Sequence, residues 1–194
     1  MSSGSGSASL PIFSVNEKAT ATFDAAFVET RDLSYFMISA VTPIVVILGL
    51  ILLTSVGGKP LGYIVIAGGI VVLVALLKLI HDLVYDIAGF PDYKMPVWTV
   101  LYSILYIIEG FTFLVLGLHL VAPSVHFKGI ATGSASLATA FLDCLYLSLA
   151  RTFGVPPEAS FQATSQLARF LPVLQSGLMM FLNIVIITKF VTAF

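Results

Sequence analysis

Long apolar runs dominate this chain, and most of its polar residues lie between them. Four runs hold about 20 or more mostly apolar residues, the length that crosses a bilayer: residues 33–56, 61–85, 97–121 and 167–194. A helix rises about 1.5 Å per residue, so each run covers a hydrocarbon layer of roughly 30 Å. The pattern therefore predicts four membrane-spanning helices.

A fifth run, residues 131–151, is less apolar and rich in small residues. Ser134 and Ala138 share a helical face with Phe141, a pattern typical of close helix packing in membranes. We expect this run to span the membrane among the other helices, and a helix lying in the membrane interface is the alternative. The predicted fold is an all-α, polytopic bundle of five transmembrane helices, with four as the alternative.

Glycine and proline residues mark breaks and close approaches in this pattern. Pro43 is expected to kink the first spanning helix, because proline removes one backbone hydrogen bond. Residues 57–60, Gly-Gly-Lys-Pro, form a turn that ends it. Gly62, Gly68 and Gly69 lie in the second helix, where glycine permits close contact with a neighbouring helix.

A polar tail, residues 1–32, precedes the transmembrane domain of residues 33–194. The tail is rich in serine and glycine and is expected to be partly extended and disordered on its own. Residues 19–30 have helical apolar spacing, which is typical of a short interfacial helix. A tail of this kind becomes ordered only when it packs against another surface, and a larger assembly is the simplest candidate for that surface.

Composition supports a membrane protein without a catalytic domain. Charged residues make up 10% of the chain and the mean hydropathy is +1.05, whereas an average soluble domain is about 25% charged. The net charge of −1 gives no indication of nucleic-acid binding. The loops are too short for a soluble domain, and HExxH, GxSxG and CxxC motifs are absent. We therefore expect no enzymatic activity and no catalytic residues.

Five spans would alternate the loops between the two sides of the membrane. The N-terminal side would hold the tail, residues 85–96 and residues 151–166, and the opposite side would hold residues 57–60, residues 122–129 and the C-terminus. Lysine and arginine then number five on the N-terminal side and three on the other. The positive-inside rule favours an inside N-terminus by this small margin.

Polar side chains within the apolar runs are the candidate functional residues: Lys78, His81, Glu109, Asp143 and Gln175. All are predicted to lie in one leaflet, and Lys78 is within reach of Glu109 or Asp143. Buried carboxylates in a membrane need a partner and are enriched at ion pathways. Small subunits also use such pairs to hold helices together, so this cluster is either an assembly contact or an ion path.

No cofactor or metal site is expected. Two haem-ligating histidines would need matched depth on facing helices, but His81 lies near one membrane face and His119 and His126 near the other. Bound lipids are the expected ligands.

The first four runs, with Glu109 in the third and small residues in the fourth, are similar in pattern to tetraspan membrane-organising proteins of the MARVEL type. The strongly apolar last run departs from that pattern. Our main hypothesis is a non-catalytic subunit of a larger membrane complex, in an energy-transducing membrane such as the mitochondrial inner membrane, with other membrane subunits and lipids as partners. The alternatives are a small oligomeric ion or proton channel or transporter, and a tetraspan-like organiser.

Overall fold

The computed structural model describes residues 58–89, 97–131, 137–157 and 160–192, together with Ser34 and Gly49. Ser34 and Gly49 are helical. The remainder of the predicted first span, including Pro43, lies outside the described residues. The tail and its predicted interfacial helix also lie outside them.

Four helices and a pair of short strands form the described part of the chain: α1 (Lys59–Gly89), α2 (Val97–Val121), β1 (Phe127–Lys128), α3 (Leu137–Thr152), β2 (Gln162–Ala163) and α4 (Gln166–Thr192). Helices α1, α2 and α4 are long and apolar enough to cross a membrane, as the apolar runs predicted. Helix α3 has 16 residues and is therefore about 24 Å long, shorter than a hydrocarbon layer of roughly 30 Å.

Helices α1 and α2 pack closely because glycines face each other across their contact. A Cβ atom added at Gly62 would lie 2.9 Å from the carbonyl oxygen of Gly117, and one at Gly69 would lie 3.0 Å from that of Gly110. A step of seven residues forward along α1 thus matches seven back along α2, so the helices are antiparallel. The predicted role of Gly62 and Gly69 is confirmed, whereas a Cβ at Gly68 would meet nothing within 4 Å.

Helix α2 forms the centre of the bundle. In the most apolar segment of α2, 72% of the residues are buried, whereas 33% are buried in the corresponding segment of α1 and 22% in that of α4. Tyr102, Phe111 and Leu116 are among its buried large side chains. Consequently α1 and α4 present broad apolar surfaces outward, and α2 does so mainly near its first residues.

The strands β1 and β2 join the end of α2 to the beginning of α4. Phe127 pairs with Ala163 and Lys128 pairs with Gln162 in an antiparallel ladder. Paired strands lie about 4.8 Å apart, so these two segments occupy the same end of the bundle, which we call the clasp end. The expected alternation, which placed residues 122–129 and residues 151–166 on opposite sides of a membrane, is therefore wrong.

Helix α3 enters the bundle from the clasp end and stops partway. The hydroxyl of Ser148 donates to the carbonyl oxygen of Ile108 at 2.9 Å. Ile108 is the twelfth of the 25 residues of α2, so the last turn of α3 lies at the middle of α2. The chain then returns to β2 at the clasp end, and α3 does not provide a fifth span.

A glycine terminates α3. Gly154 has a φ of +69°, a left-handed conformation that glycine adopts without steric cost. The amide of Val155 donates to the carbonyl of Ala150 at 2.7 Å, and the amide of Gly154 donates to that of Arg151 at 3.3 Å. These bonds form a Schellman motif, and Pro156 just beyond it cannot continue the helix.

Candidate functional site

The five candidate residues do not meet at one point. Lys78 is exposed on α1, and no ion pair joins it to Glu109 or Asp143, all three of which the structure describes. The side chain of His81 is 79% exposed, and its Nδ1 lies 3.5 Å from Oδ1 of Asp82. The depth estimated from sequence did not determine which side of each helix these residues occupy.

Gln175 lies in a buried network that joins three helices. Its amide nitrogen lies 2.8 Å from Oγ1 of Thr152, 2.9 Å from the carbonyl oxygen of Ser148 and 3.1 Å from Oγ of Ser148. Ser148 in turn donates to Ile108, whose carbonyl also accepts from Thr112 at 2.7 Å. We call these five residues the central network; it attaches the end of α3 to α2 and α4.

Sequence reasoning found Gln175 but missed its partners. Ser148 and Thr152 are four residues apart and therefore share one face of α3. This spacing indicates that α3 has a polar face. It does not indicate which residue of another helix lies opposite that face.

Asp143 belongs to a second group of residues near the clasp end. Its Oδ2 accepts from the amide of Ala131 at 2.8 Å, and Nε2 of His119 lies 3.0 Å from the carbonyl oxygen of Ala131. A carbonyl only accepts, so Nε2 carries the proton and Nδ1 of a neutral His119 is an acceptor. Nδ1 is buried, and no described residue donates to it. This group holds the chain after β1 against α2 and α3.

Glu109 is buried on a third side of α2. Successive residues of an α-helix are about 100° apart around its axis. Glu109 is therefore rotated roughly 100° from Gly110, which contacts α1, and roughly 100° in the other direction from Ile108, which contacts α3. Its Oε2 atom is buried and has no hydrogen-bond partner among the described residues. The hydroxyl of Tyr106, almost one turn earlier, is also buried and has no hydrogen-bond partner among the described residues.

Arg151 is a polar residue at depth that sequence reasoning assigned to a loop. It lies in the last turn of α3 and is half-buried. It lines a small cavity together with Phe127 and Gln175. None of the carboxylates that the structure describes forms an ion pair with it. The turn that follows is exposed, with Phe153 at 64% and Val155 at 52%.

An open groove runs between α1 and α4. Its lining is mainly apolar and includes Leu77, Val84 and Phe181, with His81 at its edge. Because both helices are apolar enough to span a membrane, this groove would face acyl chains.

Within the described part of the chain, no three His, Cys, Asp or Glu residues group closely enough to hold a metal ion. Cys144 is buried and unpaired. No protein-family model matches this chain, and no curated protein or solved structure matches it.

Proposed function

We propose that this chain is a non-catalytic, multi-pass membrane subunit of a larger complex, with other membrane subunits and lipids as its partners. The three helices that are long and apolar enough to cross a membrane support the membrane location. The setting in an energy-transducing membrane, such as the mitochondrial inner membrane, rests on the sequence pattern alone. Cell fractionation tests it.

The exposed turn at the end of α3 carries the proposal. Helix α2 has 25 residues, about 37 Å, and α3 ends beside its middle. If α2 spans the bilayer, residues 153–157 lie near the bilayer midplane. Irregular backbone does not face lipid there, because its carbonyl groups would have no hydrogen-bond donor. Another protein covering this turn satisfies that requirement.

The internal polar contacts support a structural role for the chain. The amide of Gln175 caps the end of α3, and Asp143 accepts a backbone amide. Both side chains are used to connect elements of the fold, as interhelical hydrogen bonds do in membrane bundles.

Asn183 gives further support. It is exposed on α4, 17 residues after Gln166 and therefore about 26 Å along the helix. An amide on the outer face of a spanning helix is unfavourable in lipid. No described residue bonds Asn183, so a neighbouring subunit is its expected partner. Acyl chains are the expected occupants of the groove between α1 and α4.

Photocrosslinking in the native membrane tests the proposal. A photoreactive phenylalanine analogue replaces Phe153 in one variant and Val71, which is 67% exposed on α1, in the control. Gentle extraction, a native gel and mass spectrometry then identify the adducts. We expect the same protein adduct at Phe153 in each preparation and lipid adducts at Val71. A chain that migrates alone, with lipid adducts at both positions, would refute the proposal.

An ion or proton path is the second candidate. The Oε2 atom of Glu109, which is buried and has no hydrogen-bond partner among the described residues, favours it. Glu109→Gln keeps the shape of the side chain and removes its charge. Under this alternative, the purified chain conducts protons or cations in liposomes and the variant folds normally but loses the flux. Absence of flux through the unaltered chain would exclude it.

A further inference from the structure

We propose that the groove between α1 and α4 binds one anionic phospholipid, with Lys78 beside the phosphate and an acyl chain along the apolar lining. This inference rests on the membrane location in the proposed function, and it adds the class of lipid and the residue that recognises it.

The polar edge of the groove lies near one face of the membrane. Lys59 and Lys128 are exposed at the clasp end, and a charged side chain is costly within the hydrocarbon, so the clasp end lies at the opposite face. A hydrocarbon layer takes about 20 helical residues. Counted along α1 from Lys59, the layer ends near Lys78 and His81.

The packing of α1 against α2 gives the same level. Gly69 lies against Gly110. His81 is twelve residues later on α1 and Trp98 is twelve residues earlier on α2, so the antiparallel helices bring these two residues to one level. Trp98 is 60% exposed, and exposed tryptophan is typical of a membrane interface. The headgroup region therefore begins at His81.

Lys78 lies beside the groove. It is rotated about 20° around α1 from Tyr85, which is seven residues later, and Tyr85 lines the groove. Both side chains are exposed. Lys78 is about one turn below His81, and its flexible four-carbon stem brings the ammonium group to the level of the phosphates.

The acidic residues in this part of α1 face other directions. Asp82 and Asp86 are rotated about 140° and 180° around the helix from Leu77, which lines the groove. Lys78 is therefore the full charge that the described residues of α1 present beside the groove. An ammonium group attracts a lipid phosphate, and it repels the second ammonium of a zwitterionic headgroup. An anionic headgroup carries no such cation.

The lining of the groove fits an acyl chain. Leu77, Ile80 and Phe181 are apolar, and the groove has a volume of about 440 Å³, within the range of about 300–1,000 Å³ that is typical of ligand sites. It lies open between two helices that are apolar enough to span a membrane, so a chain can enter it from the bilayer. Basic sites between spanning helices bind anionic lipid headgroups.

Two tryptophan positions at the same membrane face test the site. Trp98 is the single tryptophan of the chain, and it faces away from α1, because it is rotated about 120° around α2 from Gly110. A variant with Trp98→Phe and Tyr85→Trp moves the reporter to the groove. Each purified chain is reconstituted in phosphatidylcholine vesicles with a rising fraction of brominated phosphatidylglycerol. Quenching of the tryptophan fluorescence gives the affinity for phosphatidylglycerol relative to phosphatidylcholine.

At the groove we expect a preference for phosphatidylglycerol of about fivefold, the effect of one lysine near a membrane surface, and at Trp98 we expect none. Lys78→Gln should remove the preference. Lys59→Gln, which removes a cation from the other end of the same helix, should not. Equal preference at the two reporters, or a preference that survives Lys78→Gln, would overturn the inference. Neither result bears on the subunit role, which the protein adduct at Phe153 decides.

Discussion

Replacing Gly117 by alanine should weaken the bundle at its tightest contact. The added Cβ would lie 2.5 Å from Cγ1 of Ile66, 2.9 Å from the amide nitrogen of Ile66 and 2.9 Å from the carbonyl oxygen of Gly62. Non-bonded carbon atoms approach to about 3.5–4.0 Å. Two of the three contacting atoms belong to the backbone, so a rotamer change cannot remove the clash. Helix α1 must move away from α2.

The size of the effect follows from two opposing terms. Overpacking a close contact costs about 1–3 kcal/mol, and the rigid backbone contacts place Gly117→Ala in the upper part of that range. Alanine stabilises a helix by about 0.8–1.0 kcal/mol relative to glycine. The free energy of unfolding should therefore fall by about 1–2 kcal/mol.

Gly68→Ala is the matched control, because it adds the same methyl group to a helical glycine that has nothing within 4 Å of a Cβ. Only the gain in helix propensity remains, so this variant should be as stable as the unaltered chain or slightly more stable.

The assay is unfolding in mixed micelles with a rising fraction of dodecyl sulfate, followed by circular dichroism. Maleimide labelling of Cys144 gives a second measure, since this single cysteine is fully buried. Equal stability of Gly117→Ala and Gly68→Ala would refute the packing argument.

Three further outcomes are expected. Gln175→Leu removes the donor to Ser148 and Thr152 and should lower the free energy of unfolding by about 1–3 kcal/mol, whereas the exposed Gln166→Leu should not; equal effects would contradict the capping role. Asp143→Asn keeps an oxygen that can accept the amide of Ala131 and should be mild, and Asp143→Ala should cost about 1–3 kcal/mol in the same assay. If residues 33–56 span the membrane and α3 returns to the side from which it enters, the chain crosses the membrane four times. Tags on both termini should then be protected on the same side of sealed vesicles. Protection on opposite sides would mean that the number of spans is odd.

Much of the fold could be predicted from local sequence. Hydropathy and length located α1, α2 and α4, because a helix that crosses a membrane needs a continuous apolar run of a minimum length. The close contact of α1 with α2 was also foreseeable from Gly62 and Gly69, since small residues permit close approach. That Gly68 faces away depended on the rotation of α1 against α2.

The candidate site was less predictable. Residue depth follows from position along a helix, and Gln175, nine residues after the first residue of α4, is buried in the bundle. Depth does not determine direction, however, and Lys78 faces outward instead of pairing with a buried carboxylate. The partners of Gln175 lie 23 and 27 residues away, a separation that no helical periodicity reveals.

The sequence by itself determined which segments are apolar and long enough to cross a membrane. Only the tertiary structure decided that α3 turns back. Its run is apolar enough to resemble a span, but the pairing of Phe127 with Ala163 brings both of its flanks to one end of the bundle. The physical reason is that hydropathy measures the transfer of a segment into lipid, whereas its path depends on backbone bonds between residues distant in sequence and on the helix stop at Gly154.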